Sequence, residues 1–182
     1  MNKIIDEKII YKGKIITVKK ETLILPNKQQ AIREFVHHSK AVAIIAIHND
    51  NILLVKQYRT GIKDYMIELP AGLLEDNENP EECAQRELQE ETGYEPRSLT
   101  FLGEYYLSPG FCDESIYLYL GEDLIYNPKN PDDDEFIEII QIPLKDIHDN
   151  YFTYINDKNL KLDAKTILGI TIYLLYMQKQ PH

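Results

Sequence analysis

The sequence predicts an α+β chain, and three observations lead there. Short runs of β-branched, aromatic or alternating apolar residues recur from the N-terminus to about residue 142, punctuated by Gly, Pro and Asn-Asp. One stretch, residues 79–93, carries both a start and a stop signal for a helix. A second helical stretch, apolar on much of its surface, lies near the end. The 182 residues suit one domain with a real core and a small appendage. Hydrophobic residues at 43% and charged residues at 27% are globular values.

Taken in order, Lys8–Tyr11, Lys14–Lys20, Glu21–Leu25 and Ala31–Val36 are β-like, with turns at Gly13 and Pro26-Asn27. They predict a small antiparallel meander over residues 1–39, ahead of a main domain at 40–182. Arg33-Glu34 and His37-His38 within it read as surface strand residues. Ala41–His48 is nearly all apolar and predicts a central strand; Asn49-Asp50 turns the chain, and Asn51–Gln57 returns as a second strand. Tyr65–Ala71 is apolar apart from Glu68. A buried carboxylate is costly alone, so Glu68 needs Arg59, Arg86 or a metal beside it.

After the helix, Ser98–Leu107 and Ser115–Leu120 are strands. The Ser108–Glu114 segment between them reads equally as a ligand loop or a hairpin turn. Asn127–Glu135 is Pro-broken and acidic, an exposed loop. Phe136–Ile142 predicts a strand and Leu144–His148 a short helix. Asp163 caps a final helix, Ala164–Lys179, packed in the core or at an interface.

A net charge of −10 argues against non-specific nucleic-acid binding and against anionic membranes. Cys83 and Cys112 lack metal-ligand spacing and read as reduced thiols of a cytoplasmic chain. Residues 1–8 contain no signal-peptide core, and the longest apolar stretch, Ile167–Met177, is too short to span a bilayer.

The chemistry concentrates in Gly72–Tyr94. Asn79 can cap, Pro80 suits the first helical position, and Gly93 can take the left-handed conformation that ends a helix. Glu82 falls where a capping box wants a carboxylate. Glu87, Glu90 and Glu91 stand at i, i+3 and i+4, beside the apolar stripe of Ala84 and Leu88. Three like charges there need a cation or full solvation. Arg86 pairs with only one or two of them. A hard divalent ion, Mg²⁺ or Mn²⁺, suits a cluster of carboxylate oxygens. A solvated acidic helix face remains the alternative.

This stretch resembles the Nudix box, G-x5-E-x7-R-E-U-x-E-E-x-G-U. All seven fixed identities are present: Gly72, Glu78, Arg86, Glu87, Glu90, Glu91 and Gly93. At roughly 6% usage per residue type, chance supplies that about once in several hundred million start positions. Beyond the box, the chain resembles the bacterial ADP-ribose pyrophosphatase branch. The matching pieces are LPNKQQAIREFV, VKQYRTG, IELPAG, YLSPGFCDE, DDDEFIE with IPL, and LDAKT. Pro109, about fifteen residues past the box, is the branch marker.

The resemblance implies a Nudix fold, an α/β/α sandwich with a mixed sheet. It implies a homodimer in which the N-terminal meander crosses to the partner. It implies Mg²⁺-dependent hydrolysis of ADP-ribose to AMP and ribose 5-phosphate, with more than one ion per site. The implied metal ligands are Glu87, Glu91, the Ala71 carbonyl and Glu135; Glu90 supports the cluster or binds one ion. Arg59 holds a phosphate, and Leu73 lies beside the site through its backbone. Ser108, Pro109, Gly110 and Glu114 line the substrate. Tyr11, Lys12, Arg33 and Glu34 reach the adenosine half from the other subunit. The branch places a glutamate base where this chain has Asp133, one methylene shorter; Asp134 and Glu114 are the alternatives. The rival readings are another nucleotide-sugar pyrophosphatase, for example one acting on GDP-mannose, and a Nudix-fold sensor that has lost catalysis.

Overall fold

The computed structural model describes residues 3–129, 136–157 and 160–179. The chain divides into two compact units. One holds the chain up to Lys40 together with Tyr105–Ile116. The other holds Ala41–Glu104 and the chain from Tyr117 onward.

The first unit is built on a three-stranded antiparallel sheet of β1 (Lys3–Lys12), β2 (Ile16–Ile24) and β3 (Gln30–His38), in that order. The two strands expected at 14–20 and 21–25 are one. No Gly or Pro separates Lys20 from Glu21, so β2 runs unbroken against β3 from Ile16↔His38 to Ile24↔Gln30. Every residue of β1 is exposed.

The second unit carries β4 (Ala41–His48), β5 (Asn51–Arg59), β6 (Asp64–Glu68), β7 (Ala71–Leu73), helix α1 (Pro80–Thr92), β8 (Tyr94–Glu95), most of β9 (Ser98–Tyr106) and β10 (Ser115–Glu122), then β11 (Ile125–Tyr126), β12 (Glu138–Pro143), α2 (Leu144–Asn156) and α3 (Ala164–Met177). Its mixed sheet runs β12-β5-β4-β10-β9, with β6 on β5 and β7 on β4. The β4–β5 hairpin turns through Asn49 and Asp50, both at positive φ (49° and 61°), residue types that tolerate this conformation.

Ala41–Ala46 of β4 are all buried because both faces of the strand are covered. Val42, Ile44 and Ala46 share a core with Cys83, Ala84 and Leu88 of α1. On the alternate face, Gly169 of α3 lies against Leu69, Ile45 and Leu118. The sheet is thus sandwiched between helices. Leu88 is fully buried, and truncating such a side chain to Ala costs about 2–5 kcal/mol.

Two further features go beyond the sequence reading. The run 65–71 breaks at Leu69-Pro70 into β6 and β7, which pair with different strands. Helix α2 runs 13 residues rather than five, with non-helical backbone at Asn150. Ile147, Tyr151 and Tyr154 continue its inner stripe, and the Tyr151 hydroxyl hydrogen-bonds that of Thr171 on α3, so packing extends a weak local signal. Among the described residues, no helix is long and apolar enough to cross a membrane.

Candidate active site

Helix α1 presents the acidic cluster. Its start is as the sequence dictates: the Asn79 side chain accepts from the Glu81 N–H at 2.9 Å, and Pro80 follows. Its end is Gly93 at φ 76°, whose N–H returns to the Gln89 carbonyl at 3.0 Å. The cap at each end fixes which residues share a turn, and so places Glu87 and Glu91 one turn apart.

Neither of these carboxylates belongs to a solvated face. Glu91 is 5% exposed and accepts from the Ala71 N–H at 2.9 Å. Glu87 packs its carboxylate into the notch left by Gly72, where a Cβ would lie 1.9 Å from its Cδ. A side chain at 72 would displace the Glu87 carboxylate from this seat. Strand β7 is held on β4 through Ala41↔Leu73, Val42↔Gly72 and Ala43↔Ala71, so the Ala71 backbone arrives beside the helix on a rigid strand.

Arg86 does more than the sequence reading allowed. Its guanidinium binds Glu78 through two bonds (2.8 and 2.9 Å), Glu87 at 2.7 Å and Glu90 at 3.0 Å. It also donates to the Leu73 carbonyl at 3.2 Å. It therefore pairs with three carboxylates, because its five N–H groups fan out in a plane and Glu78 returns from the loop to meet it. The Arg86 bonds hold the Glu78 carboxyl at about 2, and the carboxylates around Arg86 raise its own pKa. Burial pushes the Cys83 thiol up, so it stays protonated, donating to the Leu73 carbonyl at 3.5 Å.

Glu68 is 2% exposed and has the partner that its burial demanded. Arg59 grips it side-on, Nε to Oε1 at 2.6 Å and Nη2 to Oε2 at 2.8 Å. A second partner, Lys165 of α3, was not foreseen; it contacts both Glu68 and Asp163. A lysine two places after a helix cap, facing an apolar interior, was the signal. Burial pushes Glu68 up, but the Arg59 and Lys165 contacts outweigh it and hold the carboxyl well below the usual range. Asp163 caps α3 as expected, accepting from the Thr166 N–H at 2.9 Å.

Glu87, Glu90, Glu91, Ala71, Leu73 and Arg59 thus all lie in the second unit. Among the described residues, no three His, Cys, Asp or Glu side chains converge as a finished metal cage. The expected fourth ligand Glu135, and Asp133 and Asp134 with it, lie outside the described residues. The described donors fit a hard divalent ion: they are oxygens, two are carboxylates one helical turn apart, and the Gly72 notch seats one of them.

The other expected site residues lie in the first unit. Tyr11 and Lys12 end β1, and Tyr11 is exposed. Arg33 and Glu34 face Glu21 and Lys20 across the β2–β3 ladder. Ser108, Pro109 and Gly110 form a turn in which the Ser108 carbonyl accepts from the Phe111 and Cys112 N–H groups, at 3.1 and 2.9 Å. The turn docks on β3. Val36 N–H donates to the Phe111 carbonyl at 2.7 Å, and Asp113 meets His37 Nδ1 at 2.6 Å and the His38 N–H at 2.9 Å. Burial works against ionising Asp113, but these bonds keep its carboxyl below the usual range. Glu114 lies 3.8 Å from His38 Nδ1. His37 and His38 therefore have partners, which a strand reading alone does not reveal.

Comparison with known proteins gives the family. The NUDIX domain model matches residues 37–162. The chain is 39% identical to the methanol dehydrogenase activator of Bacillus methanolicus, across 99% of this chain and 97% of that protein. It is 41% identical to the ADP-ribose pyrophosphatase of Bacillus subtilis strain 168, across 79% of this chain and 80% of that protein. A crystal structure described as an ADP compounds hydrolase shares the fold, with a TM-score of 0.86 at 22% identity, covering 97% of this chain and 94% of that one. A seated glutamate pair on a capped helix, in a domain that matches over residues 37–162, makes this chain a member of the Nudix family.

Proposed function

We propose that this chain is a divalent-metal-dependent pyrophosphohydrolase that cleaves ADP-ribose to AMP and ribose 5-phosphate. The observation that carries the reading is the seating of Glu87 and Glu91, one in the Gly72 notch and one on the Ala71 N–H. Arg86 offsets part of the charge on Glu87, and a divalent ion between the two carboxylates would offset the rest. Relatives whose names specify ADP-ribose pyrophosphatase support the substrate.

Glu87, Glu91 and the Ala71 carbonyl would hold Mg²⁺, with Glu135 as a further ligand and more than one ion per site. Bound there, Mg²⁺ supplies counter-charge to the pyrophosphate and acidifies water. The protein does the rest. Arg59 offers phosphate the guanidinium edge that Glu68 leaves open. Arg86 holds Glu87 and Glu90 in place against their mutual repulsion. Asp133 takes the proton from the attacking water as the bridging P–O bond breaks, with Asp134 or Glu114 as the alternative base. Ser108, Pro109, Gly110 and Glu114 line the substrate. Tyr11, Lys12, Arg33 and Glu34 contribute from the partner subunit of a homodimer, in the cytoplasm.

The test is a substrate panel with product analysis: ADP-ribose, GDP-mannose, NADH and diadenosine polyphosphates, with and without Mg²⁺. Metal-dependent release of AMP, strongest from ADP-ribose, is expected. Preference for GDP-mannose would keep the metal site and discard the adenosine assignments. No turnover of any of the four would favour a binding role.

A further inference from the structure

Arg59 stands at the outer end of a row of alternating charges that begins inside the second unit: Asp163, Lys165, Glu68, Arg59. The inner members are enclosed. Glu68 is 2% and Lys165 8% exposed, whereas the Arg59 side chain is 41% exposed. The inner end is anchored to backbone. Asp163 accepts from the Thr166 N–H at 2.9 Å, and the fully buried Thr166 hydroxyl accepts from the Leu69 N–H at 2.8 Å. The Ile67 N–H donates to the Lys161 carbonyl at 2.9 Å. The start of α3 and the end of β6 are therefore stitched together at two points, Thr166 to Leu69 and Lys161 to Ile67, and Lys165 and Glu68 project from the two stitched segments.

The side-on grip leaves a second edge on Arg59. Glu68 takes the Nε and Nη2 hydrogens; Nη1 makes no hydrogen bond among the described residues. The remaining Nη1–Nη2 edge has the fork spacing that matches two oxygens of a phosphate. A carboxylate gripped by one arginine alone would cancel much of that arginine's charge. Lys165 draws on the same carboxylate, so Glu68 neutralises Arg59 less completely than it would alone.

We propose that Lys165 and Glu68 are positioning residues that lock the Arg59 guanidinium in the orientation that binds a phosphate of the substrate, with Asp163 fixing Lys165 in turn. This rests on the reading of Arg59 as a phosphate ligand. The role is orientation at a distance, not contact with substrate, and it ties substrate affinity to the packing of α3 on β6.

The experiment is a double-mutant cycle on the full-length protein, reading KM and kcat for ADP-ribose and, separately, AMP binding by calorimetry. The single variants are Arg59→Ala, Glu68→Gln and Lys165→Met, and the latter two are then each combined with Arg59→Ala. Losing a charged hydrogen bond to phosphate is expected to raise KM about tenfold in Arg59→Ala. Lys165→Met and Glu68→Gln are expected to raise KM several-fold with kcat less affected, and to weaken AMP binding in parallel. In the Arg59→Ala background both effects should shrink to less than about twofold, because their route to substrate is gone. Lys165→Arg, which keeps the charge, should stay near wild type.

Effects that persist undiminished without Arg59 would show a structural role and overturn the proposal. An unchanged KM and AMP affinity in Arg59→Ala would instead overturn the phosphate reading of Arg59 itself. Circular dichroism and melting temperature check each variant; if Glu68→Gln fails to fold, the Lys165 cycle decides alone.

Discussion

At the scale of single residues, Arg86 has the widest reach in the site. One guanidinium satisfies three carboxylates and a strand carbonyl, which lets glutamates crowd together on α1. Its bond to Glu78 has a measurable signature. The Glu78 carboxyl is held at about 2, against an ordinary value of 4.5. A depressed carboxylate adds stability that is complete above the unfolded value and is lost as pH falls through the folded one. The wild-type protein should therefore lose melting temperature between about pH 4.5 and pH 2. Glu78→Gln should be less stable at neutral pH by about 1–3 kcal/mol, the scale of a lost charged hydrogen bond. Its melting temperature should fall less steeply over the same window, closing on the wild type. A gap that stays constant from pH 6 to pH 2.5 would mean that the pair contributes nothing through ionisation.

At the scale of elements, the candidate metal site is where α1 meets β7. The two ends of α1 were legible because caps are local chemistry: Asn79-Pro80 and Gly93 sit within a turn of the groups they satisfy. The glutamate spacing was legible for the same reason. What escaped was non-local. Glu68 and Lys165 are 97 residues apart, and only the packing of α3 on β6 brings them together. The length of β2 escaped because an unbroken strand and two short ones differ only in pairing, and the partner strand decides. The extent of α2 escaped because its second half is held by tertiary contacts such as Tyr151 with Thr171. Gly72 shows how the elements depend on each other. Gly72→Ala would drive a methyl into the Glu87 carboxylate and push it off β7. The expected result is a loss of turnover on the order of 100-fold, with a melting temperature within a few degrees of wild type, since the collision falls on a movable side-chain end. Full activity in that variant would show that the Glu87 seat is irrelevant to catalysis.

At the scale of the whole molecule, the two units carry different parts of the expected site, the box and Arg59 in one, the Ser108–Glu114 turn and the meander in the other. Strand β1 exposes Ile4, Ile5, Ile9 and Ile10, each near half exposed, which is the kind of surface a second subunit covers. Light scattering should give twice the 21.3 kDa chain mass, and Ile4→Lys with Ile10→Lys should shift it toward the monomer and raise KM. A wild-type monomer with full activity would remove the partner from the account. The central claim is that α1 carboxylates hold the ion that makes pyrophosphate cleavage possible. It is tested most directly by AMP release from ADP-ribose over an Mg²⁺ titration, wild type beside Glu91→Gln. The account predicts no wild-type turnover without a divalent ion, saturable turnover with it, and a drop of about 100-fold or more in the folded variant, the scale of several kcal/mol of lost transition-state stabilisation. Metal-independent cleavage, or near-normal turnover in Glu91→Gln, would contradict it.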